Sequence, residues 1–454
     1  MKHLLAFLLS CVASGLVFAG PPNIVLIFTD DQGYHDVGCY GSEIATPHID
    51  SLARDGVKFT QFYSASAICT PSRFGLLTGR NPSRSQDRLL SALMFLADEH
   101  KNTGIQKGET TVAEVLRKGG YQTALLGKWH LGHGGPELSA TSHGFDYFYG
   151  HTAGCIDFFT MCYGNTPDWY RNDTLLDETG YATDLITDEV GRYLDDRDKE
   201  KPFFLFLPYN SPHFGKGWND GKNEPVNILQ PHPRDLGRVM NIKDSTRRKY
   251  AGMVVSLDDA VGRVLADLKK RDLEENTLVI FMTDHGGDPN YGGDNKPFRD
   301  GKATLFEGGI RVPCLARWPG QIKAGSESDA LIWAIDWFPT FCKLAGIETK
   351  GLTLDGEDIS PVLRGGKGDP GRELFWELGA HAELERGNWY ALRKGDWKYV
   401  ATPENGEWLF NLAKDPGEKM NVINKESKRH VRMKGRADEL AREYLEFSRK
   451  MGNR

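Results

Sequence analysis

The chain has 454 residues, a formal net charge of −6 and a pI of about 6.1. Apolar residues make up 39% of it, which is enough for a large buried core in a chain long enough for more than one domain. This mildly acidic balance does not favour binding to nucleic acid or an anionic membrane surface, so an anionic ligand would need a local basic pocket.

Residues 1–19 have the pattern of a signal peptide. Lys2 and His3 precede an apolar run over 4–19, and Val17-Phe18-Ala19 fits a cleavage site. The run is shorter than the ~20 residues that a membrane span needs, and no later segment qualifies. A lipoprotein site at Cys11 is disfavoured by Leu9. We therefore expect an exported protein, periplasmic or secreted, with no membrane span.

Short apolar runs alternate with helical patterns over 20–364. The runs at 24–28, 202–207 and 278–282 predict buried strands, and helices are predicted at 111–118 and 250–268. Such alternation predicts an α/β catalytic domain with a large, mostly parallel sheet between layers of helices.

The segment around Cys69 combines a cysteine, an arginine and a helix start. Thr70 is predicted as the N-cap, Pro71 as the first helical residue and Gly79 as the end of the helix. Position 69 would then lie where unpaired N–H groups and the helix dipole attract an anion, and Arg73 adds a permanent charge.

The first and last of the predicted strands both end in acidic residues. The strand at 24–28 continues into Asp30 and Asp31, and the strand at 278–282 continues into Asp284 and His285. In open α/β sheets, ligands bind beyond the carboxyl ends of the strands, so these side chains predict one divalent-metal site.

Three further clusters supply candidate groups around an anion. They contain Lys128 with His130, then His213, then Lys302. A lone lysine or histidine is more often a solvated surface residue, so these positions gain weight only together.

The cysteines and the C-terminal region complete the pattern. Cys155 and Cys162 are the favoured disulfide pair because they are close in sequence, and no cysteine spacing predicts a metal cluster. A Gly-rich linker at 365–371 precedes a region, 372–454, that predicts a small antiparallel sheet with a terminal helix.

These segments together resemble the type I, formylglycine-dependent sulfatases of the alkaline phosphatase superfamily, especially arylsulfatase-like and N-acetylgalactosamine-sulfatase-like members. The resemblance runs from Asn23 to the C-terminal region. Its main segments are Cys69-Thr70-Pro71-Ser72-Arg73 with Leu77-Thr78-Gly79-Arg80, then 23–33, 127–132, 306–313, 317–320, 355–356 and 409–412.

The resemblance implies a role for each candidate residue. A maturase would oxidise Cys69 to formylglycine, and the modified residue would bind a divalent metal together with the acidic cluster and the residue after it, namely Asp30, Asp31, Asp284 and His285. His285 stands where many members have asparagine. An oxygen-rich set favours Ca²⁺, with Mg²⁺ and Mn²⁺ left open. Arg73 would brace the modified residue, and Lys128 and Lys302 would hold sulfate.

The same resemblance implies the chemistry. A hydrated aldehyde carries two hydroxyls on one carbon, of which one attacks sulfur and the other, once deprotonated, expels sulfate and restores the aldehyde. His213 is the candidate acid for the departing alcohol, and His130 is the candidate base.

The substrate that this implies is a sulfated carbohydrate, with the sulfate near a chain end. Aromatic residues in 151–170 and 214–222 could stack on sugar rings or pack in the core, and the sequence leaves both readings open. Two other functions remain. One is a phosphonate or phosphate monoester hydrolase of the same superfamily, and the other is a non-catalytic polysaccharide-binding protein if Cys69 stays a thiol.

Overall fold

The computed structural model describes residues 20–379, 388–404 and 406–452. The predicted signal peptide, with Cys11, lies outside these residues. The strands are β1 Asn23–Asp30, β2 Val57–Phe59, β3 Phe62–Tyr63, β4 Gln122–Lys128, β5 Tyr147–His151, β6 Cys162–Tyr163, β7 Thr166–Pro167, β8 Tyr170–Arg171, β9 Thr174–Leu175, β10 Phe203–Pro212, β11 Gly215–Asn219, β12 Glu224–Ile228, β13 Thr277–Thr283, β14 Cys314–Arg317, β15 Ser326–Ser328, β16 Ile332–Trp333, β17 Glu373–Leu378, β18 Trp389–Lys394, β19 Trp397–Ala401 and β20 Glu407–Asn411. The α-helices are α1 Pro47–Arg54, α2 Cys69–Thr78, α3 Val112–Lys118, α4 Ala182–Asp196, α5 Pro233–Leu236, α6 Ser245–Lys270, α7 Glu307–Ile310, α8 Trp337–Leu344, α9 Ser360–Leu363 and α10 Ser427–Gly452.

The main sheet has ten strands in the order β15-β2-β14-β13-β1-β10-β4-β5-β8-β9. At its centre β13, β1, β10, β4 and β5 are parallel neighbours, so their carboxyl ends meet at one edge. Antiparallel pairs join β14 to β13 and to β2 on one side, and β8 to β5 and to β9 on the other. The expected large, mostly parallel sheet is confirmed.

Helices cover both faces of this sheet because the central strands are apolar on both faces. Along β1, Leu26 and Phe28 join one core cluster with α2, α3 and α8, whereas Val25 and Ile27 join a second cluster with α4 and α6. This double burial explains why the strand is a continuous apolar run rather than an alternating one. No helix among the residues described here combines the length and the apolarity that crossing a lipid bilayer requires.

The predicted elements are present, and two of them extend well beyond their predicted ranges. Strand β10 continues to Pro212, and the helix predicted from 250 begins at Ser245, where the side chain of Asp244 accepts a hydrogen bond from the Arg247 backbone N–H at 2.7 Å. The first turn of α6 is polar, so hydrophobic periodicity could not indicate it.

The C-terminal sheet is antiparallel in the order β17-β18-β19-β20, as predicted. Its two faces bury different residues. Trp376 and Phe410 join the first core cluster of the main domain, whereas Phe375, Leu409 and Tyr444 form a separate cluster between the sheet and α10. The domain division at 364 and 372 stays a prediction.

The predicted disulfide between Cys155 and Cys162 is wrong, because both thiols are free. Cys155 is buried in a small apolar cluster with Tyr163, whereas the Cys162 thiol donates to the Thr160 carbonyl oxygen at 3.3 Å. Cys162 begins a hairpin in which it pairs with Pro167, and its sulfur is therefore not directed at Cys155.

Candidate active site

The carboxyl edge of the parallel strands assembles the candidate residues. Strand β1 ends at Asp30, β4 ends at Lys128, and Asp284 follows directly after β13. Since the three strands are parallel, chemistry-bearing side chains from distant parts of the sequence meet at one edge.

Helix α2 begins at Cys69, two residues earlier than predicted. The N-cap is Ile68, which provides no side-chain cap, so the prediction of Thr70 as N-cap is wrong. Thr70 instead donates through Oγ1 to the His130 carbonyl oxygen at 3.2 Å and accepts from the Leu93 N–H at 3.1 Å. Gly79 ends the helix in the left-handed region, at φ 64°, as expected.

Three buried carboxylates lie close together, and some of their oxygens lack a hydrogen-bond partner among the described residues. Asp30, Asp31 and Asp284 are at most 2% exposed. The Asp31 N–H donates to Asp284 Oδ1 at 3.2 Å, but Asp284 Oδ2 and Asp30 Oδ1 have no hydrogen-bond partner among the described residues. Buried, unpartnered carboxylate oxygens are costly unless a cation binds them.

His285 aims its free nitrogen at the same carboxylates. Its Nδ1 donates to the Gly286 carbonyl oxygen at 3.0 Å, so Nε2 carries the lone pair in the neutral ring. This Nε2 lies 3.4 Å from Asp284 Oδ2 and 3.5 Å from Asp31 Oδ1 and makes no hydrogen bond within the part of the chain that the structure describes. Burial lowers the pKa of His285, but Asp284 and the other acidic neighbours raise it to about 9.

The acidities of the cluster fit a divalent-metal site. Burial raises the pKa of Asp31 to about 6, and burial together with the Asp30 charge raises the pKa of Asp284 well above its usual range. Ligand atoms of Asp30, Cys69, Asp284 and His285 all lie within 4.8 Å of one another. Carboxylate oxygens, an imidazole nitrogen and unpartnered acceptors are a donor set that suits a divalent cation.

Cations surround these acids on the remaining sides. Lys128 Nζ binds Asp30 Oδ2, and Lys302 Nζ lies 2.7 Å from Asp31 Oδ1. Arg73 Nη2 lies 3.5 Å from Asp30 Oδ2 and 3.7 Å from Asp284 Oδ2. Burial alone would raise the pKa of Asp30, but Lys128, His213 and Arg73 hold it well below its usual range.

The Cys69 thiol lies in an electropositive position. Burial would raise its pKa, but the charges of Lys128 and His130 hold it well below the usual range. His130 Nε2 donates to the Leu93 carbonyl oxygen at 2.9 Å, which leaves Nδ1 as the nitrogen able to accept a proton beside residue 69.

His213 and Lys302 form a hydrogen-bonded pair near the acidic cluster. His213 Nδ1 donates to the Phe214 carbonyl oxygen at 2.7 Å, and Nε2 accepts from Lys302 Nζ at 3.0 Å. Burial and the Lys302 charge lower the pKa of His213 well below its usual range. The carboxylates of Asp30 and Asp31 and the thiol keep the Lys302 pKa high.

A cavity of about 160 Å³ leads from Cys69, His130, His213 and Lys302 towards the surface. Its outer wall contains Phe95, Tyr163 and Phe214. The sequence left open whether the aromatic residues of 151–170 stack on sugar rings or pack in the core. Tyr163 lines the cavity, whereas Phe158 and Trp169 are buried in the core.

Three residues near the site carried no signal in our sequence analysis. His151, at the end of β5 and in register with Lys128, is fully buried, and neither ring nitrogen has a hydrogen-bond partner in the described ranges. Gly154 lies so close to the His130 ring that an added Cβ would stand 2.6 Å from Cε1. Lys216 lines the cavity from β11. The pairing of β5 with β4 is the signal for His151, and it is visible only once the strands are placed.

Comparisons with known proteins agree with this geometry. Residues 22–347 match the family model described as sulfatase, and residues 297–443 match the one described as N-sulphoglucosamine sulphohydrolase, C-terminal. The chain is 33% identical to arylsulfatase A of Homo sapiens, covering 92% of this chain and 86% of that protein. It is 34% identical to N-acetylgalactosamine-6-sulfatase of Mus musculus, covering 91% and 84%. The crystal structure of Ps i-CgsB in complex with k-i-k-neocarrahexaose superposes with a TM-score of 0.83 at 32% identity, covering 93% of both chains.

Proposed function

Because the chain belongs to the sulfatase family and is a sulfuric ester hydrolase, we propose that it cleaves sulfate esters of carbohydrates through a formylglycine made from Cys69. Of the functions left open by the sequence, the family match supports the sulfatase over the phosphonate hydrolase and over a binding protein without activity.

The observation that carries the proposal is the position of residue 69. Its sulfur lies at the start of α2, within 4.8 Å of ligand atoms from Asp30, Asp284 and His285. Lys128 and Lys302 bind Asp30 and Asp31 of the same cluster, and the oxygens of a tetrahedral ester bound there need positive charge.

The modified side chain would supply a hydroxyl nucleophile, and a bound divalent ion, Ca²⁺ on the donor set, would polarise that hydroxyl and the sulfate oxygens. Asp30, Asp31, Asp284 and His285 would hold this ion. Arg73 would fix the carboxylates, since its guanidinium lies between Asp30 and Asp284.

The two histidines would move the protons. His130 Nδ1, beside residue 69, would take the proton of the second hydroxyl when sulfate leaves. On the other side, Lys302 keeps a proton within 3.0 Å of His213 Nε2, so this pair would protonate the departing alcohol. The two proton transfers therefore belong to different groups of the same cavity lining.

A sulfated saccharide fits the cavity and the relatives. Tyr163, Phe95 and Phe214 offer apolar faces on which a sugar ring can stack. The similar structure of Ps i-CgsB was solved in complex with k-i-k-neocarrahexaose. A cavity of about 160 Å³ suits a terminal sugar better than the interior of a polysaccharide chain. The same proposal includes export of the protein and modification of Cys69 by a formylglycine-generating maturase.

The decisive experiment combines mass and turnover. Protein coexpressed with a formylglycine-generating enzyme should give a peptide across residue 69 that is lighter than the cysteine form, and should hydrolyse para-nitrophenyl sulfate faster than an aryl phosphonate. Cys69→Ala, produced in the same way, is the matched control and should be inactive. Equal turnover by protein that retains the thiol would contradict the formylglycine mechanism, and a preference for the phosphonate would contradict the substrate class.

A further inference from the structure

Lys216 places an unneutralised positive charge in the wall of the active-site cavity. It lies on β11, three residues after His213, and lines the cavity together with Cys69 and Lys302. Its Nζ donates to the Asn227 side-chain oxygen at 2.7 Å. Within the described residues, no carboxylate oxygen lies within 4.0 Å of this ammonium group.

The other lysines of the site differ in this respect. Lys128 is paired with Asp30, and Lys302 is paired with Asp31. Their charges serve the acidic cluster as well as an incoming sulfate, whereas the charge of Lys216 has no such partner. Its positive charge also acts on the cavity wall. Burial raises the pKa of Cys155 there to about 11, and the Lys216 charge acts in the opposite direction and lowers it.

The Lys216 side chain is also held in place. Its Nζ lies 5.5 Å from the centroid of the Tyr163 ring, over which the cation is attracted. Asn227 faces Lys216 in the register of β11 with β12, and its amide nitrogen donates to the Tyr291 hydroxyl at 3.1 Å. An ammonium group oriented from two sides loses little further freedom when an anion binds it.

We propose that Lys216 binds a second anionic group of the substrate, a sulfate or a carboxylate, carried by the cleaved sugar residue or its neighbour. This inference rests on the proposed function and narrows it to saccharides with more than one negative charge. The neighbouring wall residues are the uncharged Asn227 and the aromatic Phe95, Tyr163 and Phe214, so Lys216 is the feature through which this wall distinguishes a charged from a neutral substituent.

The test measures inhibition constants of saccharides in the hydrolysis of para-nitrophenyl sulfate. The saccharides come in pairs that differ by one anionic group. These pairs are galactose monosulfate with disulfate, N-acetylgalactosamine monosulfate with disulfate, and sulfated N-acetylgalactosamine alone or linked to a uronic acid. The disulfate pairs report a sulfate as the second group, and the uronic acid pair reports a carboxylate.

We expect at least one pair to show about tenfold tighter inhibition by the more anionic member, as a charge-assisted contact provides. Lys216→Met keeps the aliphatic stem over Tyr163 but should bring the ratio of the two inhibition constants in that pair to near one. Lys216→Arg should retain most of it. Lys222→Met is the matched control, because Lys222 lies in the exposed turn of the same hairpin and pairs with Glu224 at 3.6 Å. It should leave the ratio unchanged.

The absence of any preference in the unsubstituted protein, or a preference that survives in Lys216→Met, would overturn the inference. Melting temperatures check that each variant is folded. A formylglycine-bearing protein that does not hydrolyse para-nitrophenyl sulfate would remove the proposed function and this inference with it. Hydrolysis without an anion preference would remove only the inference.

Discussion

Arg73 donates a hydrogen bond from Nη1 to the carbonyl oxygen of Lys128 at 2.9 Å. The other terminal nitrogen of Arg73 lies 3.5 Å from Asp30 Oδ2, which also binds Lys128 Nζ. One guanidinium thus joins the end of β4 to the first turn of α2, so that a residue proposed to hold sulfate and the proposed nucleophile keep a fixed separation.

Arg73→Lys should therefore lower kcat/KM for para-nitrophenyl sulfate by about a hundredfold, because an ammonium group cannot reach the Lys128 carbonyl and the carboxylate together. Steady-state kinetics on formylglycine-bearing protein measure this. Arg54→Lys, a surface substitution at an ion pair with the adjacent Asp55, should leave the rate unchanged. A loss of less than threefold at position 73 would show that charge alone suffices there.

Asp284→Asn should weaken calcium binding at least about tenfold, because it removes one charge from a cluster with unpartnered acceptors. The measurement is the melting temperature of EDTA-treated protein titrated with Ca²⁺, and then with Mg²⁺ and Mn²⁺. Asp220→Asn, on the exposed hairpin turn, is the control. Identical titration curves for the Asp284 variant and the unsubstituted protein would place the ion elsewhere.

His130→Ala and His213→Ala should fail at different stages. Without His130, sulfate should remain attached to residue 69, because the proton that must leave before sulfate is expelled has no acceptor. Without His213, cleavage of the ester should slow and no protein-bound sulfate should collect. Intact mass after rapid acid quenching separates the two, and equal accumulation in both variants would reject the assignment.

Gly154→Ala should reduce activity at least about tenfold, since its methyl group would stand 2.6 Å from His130 Cε1 and displace the ring. Gly435→Ala is the matched control because, among the described residues, nothing beyond its chain neighbours and the α10 backbone lies within 4 Å of the added Cβ. It should stabilise the protein by about 0.5–1 kcal/mol. Full activity in Gly154→Ala would mean that the position of the His130 ring does not matter.

Glu418→Gln should change the pH dependence of stability. Burial outweighs the attraction of Lys398 and raises the pKa of Glu418 from 4.5 to about 7. The folded state therefore binds more protons than the unfolded state between these values, and this contribution to stability is lost as pH rises through 7.

The free energy of unfolding of Glu418→Gln, relative to the unsubstituted protein, should rise by about 2 kcal/mol from pH 5 to pH 8. Denaturant unfolding at several pH values measures this difference. Glu348→Gln, at an exposed position, should show no such slope. A difference that stays constant or falls with pH would contradict the raised pKa.

The sequence was informative wherever local pattern and strand order sufficed. Asp30, Asp31 and Asp284 follow buried apolar strands, and the carboxyl ends of parallel strands meet at one edge. The sheet and the meeting of the acids could therefore be predicted. The proposed roles of Lys128, His213 and Lys302 came from resemblance alone, because an isolated lysine or histidine has no distinctive local pattern.

The remaining features depend on tertiary placement. Thr70 was a good N-cap by composition, yet it hydrogen-bonds to segments 23 and 60 residues away. Cys155 and Cys162 are close in the chain, but the hairpin geometry turns their sulfurs to different surroundings. His151 and Lys216 reach the site only through strand pairing, which no local window contains.

The enclosure of Cys69 sets an order of events for a newly made chain. The residue is 4% exposed, and its neighbours Lys128, Asp284 and Lys302 are all synthesised after it. An oxidising enzyme that must bind the peptide around this thiol can reach it only before those later segments fold around it. In the proposed function, molecules that close too early would persist as well-folded but inert copies, so the active fraction of a preparation reflects the timing of modification rather than the quality of folding.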